Sequence, residues 1–182
     1  MVNTRKQKLT MLQQSVIRYL FKKAGITMNA RSIAKGLLVS PPAISKALPS
    51  LEKMEFIVVK KDKESKRLSI ELNRDHHMIV WRKRADNLLQ LYESGFVEYL
   101  IALFPGSTVI VFGSYSLGED TVTSDIDIAV IGCKDRDLEF KKFEGELERK
   151  INCQFFDSLS SLDPHLLNNI LNGITLKGTI EL

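Results

Sequence analysis

The chain has 182 residues, room for one generous domain or two small ones, and its 44% apolar and 26% charged residues suit a protein with a buried core. Its longest apolar stretch, residues 96–112, is broken by Glu98 and Pro105-Gly106, which excludes a single membrane-spanning helix, while Cys133 and Cys153 are too few for a disulfide framework or a zinc cage. The formal net charge of +4 divides unevenly: residues 1–96 hold 19 Lys and Arg against 8 Asp and Glu, and residues 97–182 hold 7 against 14, so a half suited to a polyanion precedes a half rich in carboxylates.

The charged opening, residues 1–8, shows no secretory signal, so a cytoplasmic protein without a membrane partner is expected. From Leu9 to Ala24, the positions Leu9, Leu12, Val16 and Leu20 recur at helical spacing, and Gly25 stops that helix. A second helix fits residues 29–37, with Asn29 as N-cap and Ile33, Ala34 and Leu37 on one face. Ser40 followed by Pro41-Pro42 marks a third helix start, where Ser40 can accept the leading amides and Pro41 suits the first helical position. Its apolar stripe is Ile44, Ala47, Leu48 and Leu51, and Ser45, Lys46, Ser50 and Lys53 lie opposite. Pro49, inside this helix, costs an intrahelical bond and predicts a kink or an early tightening. Residues 57–60 and 67–72 read as two strands around a polar, lysine-rich turn.

Three helices followed by a basic hairpin resemble the winged helix-turn-helix regulators of prokaryotes, over residues 1–75. The resemblance implies double-stranded DNA as partner, with Ser45, Lys46 and Ser50 in the major groove and Lys61, Lys63 and Lys66 on the wing, where lysines neutralise phosphates without reading sequence. A winged helix serving only as a dimer or partner surface is the other reading. Beyond it, Trp81, Ala85, Leu88, Leu89, Tyr92 and Phe96 recur at three- and four-residue steps, as in a long amphipathic helix. Its stripe suits either a dimer-forming linker or packing on the sheet that follows. His76-His77 at its start make a poor metal pair, because neighbours on a helix face different directions.

Residues 108–112 form an apolar, β-branched run that reads as a buried strand and ends in Gly113-Ser114. After a loop containing Gly118 and Ser124 comes a second strand, residues 125–131, in which alternation places Asp125 and Asp127 on one face. Two carboxylates side by side repel unless a cation sits between them, and hard oxygens at that spacing suit Mg²⁺. A Gly-Ser turn after a strand suits a phosphate, since glycine lets backbone amides approach and serine adds a donor.

Gly113-Ser114, ten intervening residues and then Asp125-Ile126-Asp127, with Gly118 and Ser124 between, resemble the minimal nucleotidyltransferases of the DNA polymerase beta superfamily over residues 96–182. The resemblance implies that Gly113, Ser114 and Ser124 bind the nucleotide, that Asp125 and Asp127 are catalytic and hold one or two Mg²⁺, and that a hydroxyl acceptor attacks a nucleoside triphosphate, with ATP the expected one. A partner protein of the HEPN-toxin type is a conceivable acceptor, as for antitoxin-like relatives. The third carboxylate of that family falls on a later strand, residues 151–156, whose polar face carries Asn152 and Gln154. Gln154 and, just beyond the strand, Asp157 are therefore the candidates for the third metal-site position. A helix over residues 138–150 precedes this strand, and a helix over 166–171 with His165 near its start and a short strand at 174–176 close the chain.

The sequence thus reads as an α+β protein: a winged helix-turn-helix domain (1–75), linker helices (76–104) and a nucleotidyltransferase domain with a mixed sheet (105–182). Nucleoside monophosphate transfer by a DNA-bound homodimer is one expected function. The alternative is a transcriptional regulator whose degenerate nucleotidyltransferase domain only binds nucleotide or dimerises.

Overall fold

The computed structural model describes residues 8–61, 68–136 and 138–180, and it divides into two compact units, up to Ile79 and from Val80 onward. In the first unit, α1 (Met11–Lys22) opens with a capping box in which Thr10 and Gln13 satisfy each other's backbone amides. Asn29 caps α2 (Ala30–Gly36) as its side chain accepts from the Ser32 amide at 2.9 Å. Ser40 precedes α3 (Pro41–Lys53) but its side chain makes no capping bond. Pro41 and Pro42 have no N–H to offer, so the first amide in need of a partner is that of Ala43, which donates to the Ser40 carbonyl at 3.0 Å. The helix continues through Pro49 to Lys53, because the proline ring lies on the exposed side while Leu48 and Leu51 anchor the other.

Strands β1 (Ile57–Lys61) and β2 (Leu68–Leu72) pair antiparallel, and Met28 bridges to Ile70. Val16, Leu20, Ile33, Ile44, Leu51 and Ile70 fill the core that these elements share. A Cβ at Gly36 would lie 2.4 Å from the far end of the Tyr19 ring, so a larger residue there would require Tyr19 to shift. Between α2 and α3, Leu38 takes a positive φ of 55° and is 93% exposed, a conformation normally left to glycine.

In the second unit the four strands β3 (Thr108–Phe112), β4 (Ile126–Ile131), β5 (Ile151–Phe156) and β6 (Ile174–Lys177) are ordered β5-β4-β3-β6. β3 is antiparallel to β4 and β6, whereas β4 and β5 run parallel, so the sheet is mixed as the sequence predicts. One face of the sheet, with Val109, Val111, Ile126, Ile128 and Val130, packs with α5 (Phe96–Leu103) and α7 (Lys141–Leu147). The other face, with Ile110, Phe112 and Ala129, is covered by α8 (Pro164–Leu171) and the 3₁₀ turn Leu159–Ser161. α7 is shorter than the residue 138–150 helix that the sequence suggests, since Phe140 turns into the core against Phe96 and Glu148 ends the helix with a φ of 53°.

Within the expected linker helices (76–104), Leu91, Phe96, Val97, Leu100 and Phe104 are core residues of the second unit, in line with the packing alternative. The apolar stripe of α4 (His77–Glu93) faces outward, with Trp81, Leu89 and Tyr92 at 61%, 43% and 41% exposure, while Lys83, Asn87 and Leu91 turn inward. The surface α4 packs against carries a buried carboxylate, and polar side chains answer it.

Leu38→Gly should raise stability by about 0.5–1 kcal/mol, because relief of the left-handed strain (about 1–2 kcal/mol) exceeds the added chain entropy (about 0.5–1 kcal/mol). Thermal or urea unfolding reads this directly, and an unchanged or lower midpoint would remove the strain argument.

Candidate functional site

β3 ends where the backbone of Gly113 takes a φ of 70° and leads into the short helix α6 (Gly113–Leu117). Phe112 is the register partner of Asp127 on β4, so this turn and that aspartate meet at one end of the sheet. A Cβ on Gly113 would lie 2.7 Å from the Asp127 Oδ2, closer than real Cβ atoms come. Both the backbone angle and the missing side chain therefore fix glycine at this position. Ser116 Oγ donates to the Gly113 carbonyl at 2.8 Å and closes the turn, with Ser114 half-buried between them.

Asp125 is exposed immediately before β4 and Asp127 is half-buried within it, while Ile126 and Ile128 are fully buried. Alternation turns Asp127 away from the face that carries the two isoleucines, whereas Asp125 precedes the strand and lines a cavity with Glu144 and Gly145 of α7. Ser124 Oγ accepts from the Thr121 amide at 3.0 Å and so pins the loop that delivers Asp125. Ser124 and Asp125 form one wall of an open cavity of about 650 Å³, with Glu144, Arg149 and Lys150 on another.

Neither candidate for a third metal-site position, Gln154 or Asp157, stands beside Asp127. In the parallel β4–β5 register the partner of Asp127 is Asn152, whereas Gln154 stands opposite Ala129. Asn152 Nδ2 donates to Asp127 Oδ1 at 2.9 Å. Asp157 lies beyond the far end of β5 and lines a different cavity, of about 330 Å³, with Gly106 and Gly132. Alternation had given the polar face of β5 correctly, but only the register shows which of its residues stands beside Asp127.

A second group of residues was not foreseen. Asp120, 1% exposed, accepts from Lys83 Nζ, from Asn87 Nδ2 at 2.7 Å and from Arg149 Nη2 at 3.4 Å. Asn87 Nδ2 also donates to the Tyr115 carbonyl at 2.9 Å, and the Tyr115 hydroxyl donates back to the Asn87 carbonyl at 3.3 Å. Burial first, and then the Asp120 charge, push the Tyr115 phenol well above its ordinary value. Gly118 completes the contact: its φ is 78°, and a Cβ would meet the α4 backbone at Val80 O, 2.5 Å away. One helix, the α6–β4 loop and the α7–β5 turn are thus fastened at a single carboxylate.

The thiols take no part. Cys133 and Cys153 are free, and burial pushes Cys153 up to about 12 and Cys133 above its ordinary value, so neither offers a thiolate near neutrality. His76 and His77 stack ring on ring at 5.0 Å, and His165 is exposed at the start of α8, which Asp163 caps.

In the first unit, Lys46 and Ser45 are exposed on α3, Ser50 is half-buried, and Lys61 is exposed at the end of β1. Ser45 Oγ is engaged with its own helix, donating to the Pro41 carbonyl at 3.1 Å. Lys63 and Lys66 lie outside the described residues.

Comparison with known proteins agrees with this division. Residues 93–178 match the nucleotidyltransferase domain family, and residues 9–69 match the MarR family. Among solved structures, the adhesin competence repressor AdcR of Streptococcus pyogenes is 23% identical, over 54% of this chain and 70% of its own, with a TM-score of 0.40. A mutant ZitR of Lactococcus lactis is 20% identical, over 56% of this chain and 66% of its own, with a TM-score of 0.39. MepR of S. aureus in complex with DNA is 20% identical, over 52% of this chain and 80% of its own, with a TM-score of 0.31. No curated protein matches.

Asp120→Ala leaves Lys83 and Arg149 buried without their shared acceptor, so unfolding free energy should fall by about 3–5 kcal/mol. Equilibrium urea unfolding checks this; a loss below about 1 kcal/mol would mean that the cluster does not hold the loop.

Proposed function

We propose that this chain is a DNA-binding regulator whose second unit takes up a nucleoside triphosphate together with a divalent cation. The observation that carries the proposal is the contact between Gly113 and Asp127. At this point the Gly113-Ser114 turn, whose glycine lets a phosphate approach the backbone, lies against a carboxylate that repels an anion. A ligand that satisfies both is an anion already bridged to a cation, and a metal–triphosphate complex is such a ligand.

The donor set fits Mg²⁺. Asp125 and Asp127 supply hard oxygens, and Mg²⁺ is commonly held by one or two carboxylates while water and phosphate complete its shell. Among the described residues no group of three His, Cys, Asp or Glu comes together to hold an ion. The chemistry the ion supplies when bound is charge neutralisation on the phosphates. The chain's own part is to hold the phosphates with Gly113 and Ser114 and to fix Asp125 through Ser124 and the loop below it. ATP is the triphosphate this reading adopts.

Nucleotidyl transfer is the second reading. The family match of residues 93–178 favours it. In that reaction an acceptor hydroxyl forms the new bond to the α-phosphorus, pyrophosphate leaves, and the hydroxyl proton passes to solvent or a neighbouring base. A HEPN-type partner protein is one candidate acceptor.

For the first unit, the MarR-family match, the charge excess of residues 1–96 and the exposure of Lys46 and Lys61 support duplex DNA as the ligand.

Calorimetric titration with ATP and Mg²⁺ should show binding that weakens about tenfold or more in Asp127→Asn and in Gly113→Ala. Undiminished affinity in both variants, or none in the wild type, would overturn the site. Label transferred from α-labelled ATP to an added acceptor would select the second reading over the first.

DNA affinity should fall linearly in a log–log plot against salt, and Lys46→Ala should shallow that slope by about one. Salt-independent binding in a gel-shift series would sink the DNA assignment.

A further inference from the structure

We propose that Asn152 sets the order and stoichiometry of binding at this site: one divalent cation per chain, taken up only with the triphosphate that carries it. The inference rests on the triphosphate reading above and deepens it.

Asn152 is the register partner of Asp127, and its amide donates to Asp127 Oδ1 at 2.9 Å. The other oxygen, Oδ2, sits over Gly113. A carboxylate has acceptor capacity on both oxygens, and here one is already committed to a protein donor. A cation bound through Oδ1 must compete with that hydrogen bond, which lowers affinity for the bare ion.

The charge count points the same way. A carboxylate in place of Asn152 would stand at hydrogen-bond distance from Asp127 and repel it, so that pair would call for a cation to separate the charges. The amide instead makes the metal-free arrangement self-sufficient, a donor facing an acceptor. Neither of the other two candidates at the end of the sheet restores that charge: Gln154 stands opposite Ala129, and Asp157 lies with the other cavity. If Asn152 turned, it would offer a neutral carbonyl oxygen, which adds no charge and takes up no proton.

Two carboxylates therefore face a divalent ion where a third would be needed to hold it, or a second ion, without help. A triphosphate brings its own anionic oxygens and supplies that help. Occupancy of the site then follows the nucleotide and not the free metal, as a nucleotide-reading regulator requires. Asn152 is exposed, so core packing does not dictate an amide there and the position accepts substitution.

The test is Mn²⁺ binding to the full chain, read from the electron paramagnetic resonance of the free ion. It is measured alone and with an ATP analogue carrying a methylene bridge between the α- and β-phosphorus atoms, which prevents transfer. The wild type should retain one Mn²⁺ per chain with the analogue and bind Mn²⁺ alone at least about tenfold more weakly. Asn152→Asp should tighten Mn²⁺ alone by about tenfold or more and admit a second ion with the analogue. Asn152→Ala, which frees Oδ1 without adding charge, should fall between the two.

Two ions in the wild type, equal Mn²⁺ affinity with and without analogue, or unchanged affinity in both Asn152 variants would overturn the inference. If the analogue binds but the Asn152 variants change nothing, this inference alone fails. If the wild type binds no analogue at any Mn²⁺ concentration, the triphosphate reading fails and takes this one with it.

Discussion

The second unit is organised around one buried carboxylate. Asp120 has lost almost all contact with water, and the cost of that desolvation is offset by Lys83, Asn87 and Arg149, which reach it from two other parts of the chain. Such a cluster adds little net stability over a well-packed apolar alternative, but a misplaced partner removes a hydrogen bond from a buried charge, which favours the geometry seen. That geometry carries the loop onward to Ser124 and Asp125. The aspartate before β4 is presented by a segment that has no regular structure of its own, and the Asp120 cluster supplies the fixed point that a strand or helix would otherwise provide.

The same cluster explains the orientation of α4. A helix with an apolar stripe is expected to bury it, yet here Trp81, Leu89 and Tyr92 lie outward and Lys83 and Asn87 lie inward. Amphipathic spacing says which residues share a face; the neighbouring surface decides which face is covered. In the run Trp81-Arg82-Lys83-Arg84, three consecutive cations look alike in the sequence, and nothing local marks the middle one as buried. Its signal lies 37 residues away, at Asp120.

The elements whose signals are local were legible. Asn29 caps its helix, the apolar stripe of α3 is buried as spaced, and the β-branched run before Gly113 forms the central strand β3. Gly113 itself was legible for a sound reason, since the strand-to-helix turn needs a positive φ and the close approach of Asp127 excludes a side chain. Register was not legible. Strand alternation fixes the parity of Asn152 and Gln154 but says nothing about which one stands beside Asp127, because a shift of two residues preserves every face. That choice is made by the β4–β5 pairing, where Ile126 meets Ile151 and each following pair is determined in turn. Ser40 shows the same limit on a smaller scale: Pro42 has no amide to offer its side chain, and the Ala43 amide donates to the Ser40 carbonyl instead.

On the proposed reading the two halves of the chain meet phosphate in opposite ways, in keeping with their charges. An excess of lysine and arginine over residues 1–96 suits a ligand whose negative charge is dense and repeated, where exchange of counterions for side chains drives association without a fixed pocket. Residues 97–182 carry an excess of carboxylates and would repel the same ligand. A phosphate can enter such a domain only at a point where backbone amides face it and a cation travels with it. On the reading proposed above, the turn at Gly113, set against Asp127, offers that combination, and the hydrogen bond from Asn152 lowers that carboxylate's affinity for a bare cation. Selectivity for a small metal-bound polyphosphate over a bare polyanion then follows from the domain's net negative charge.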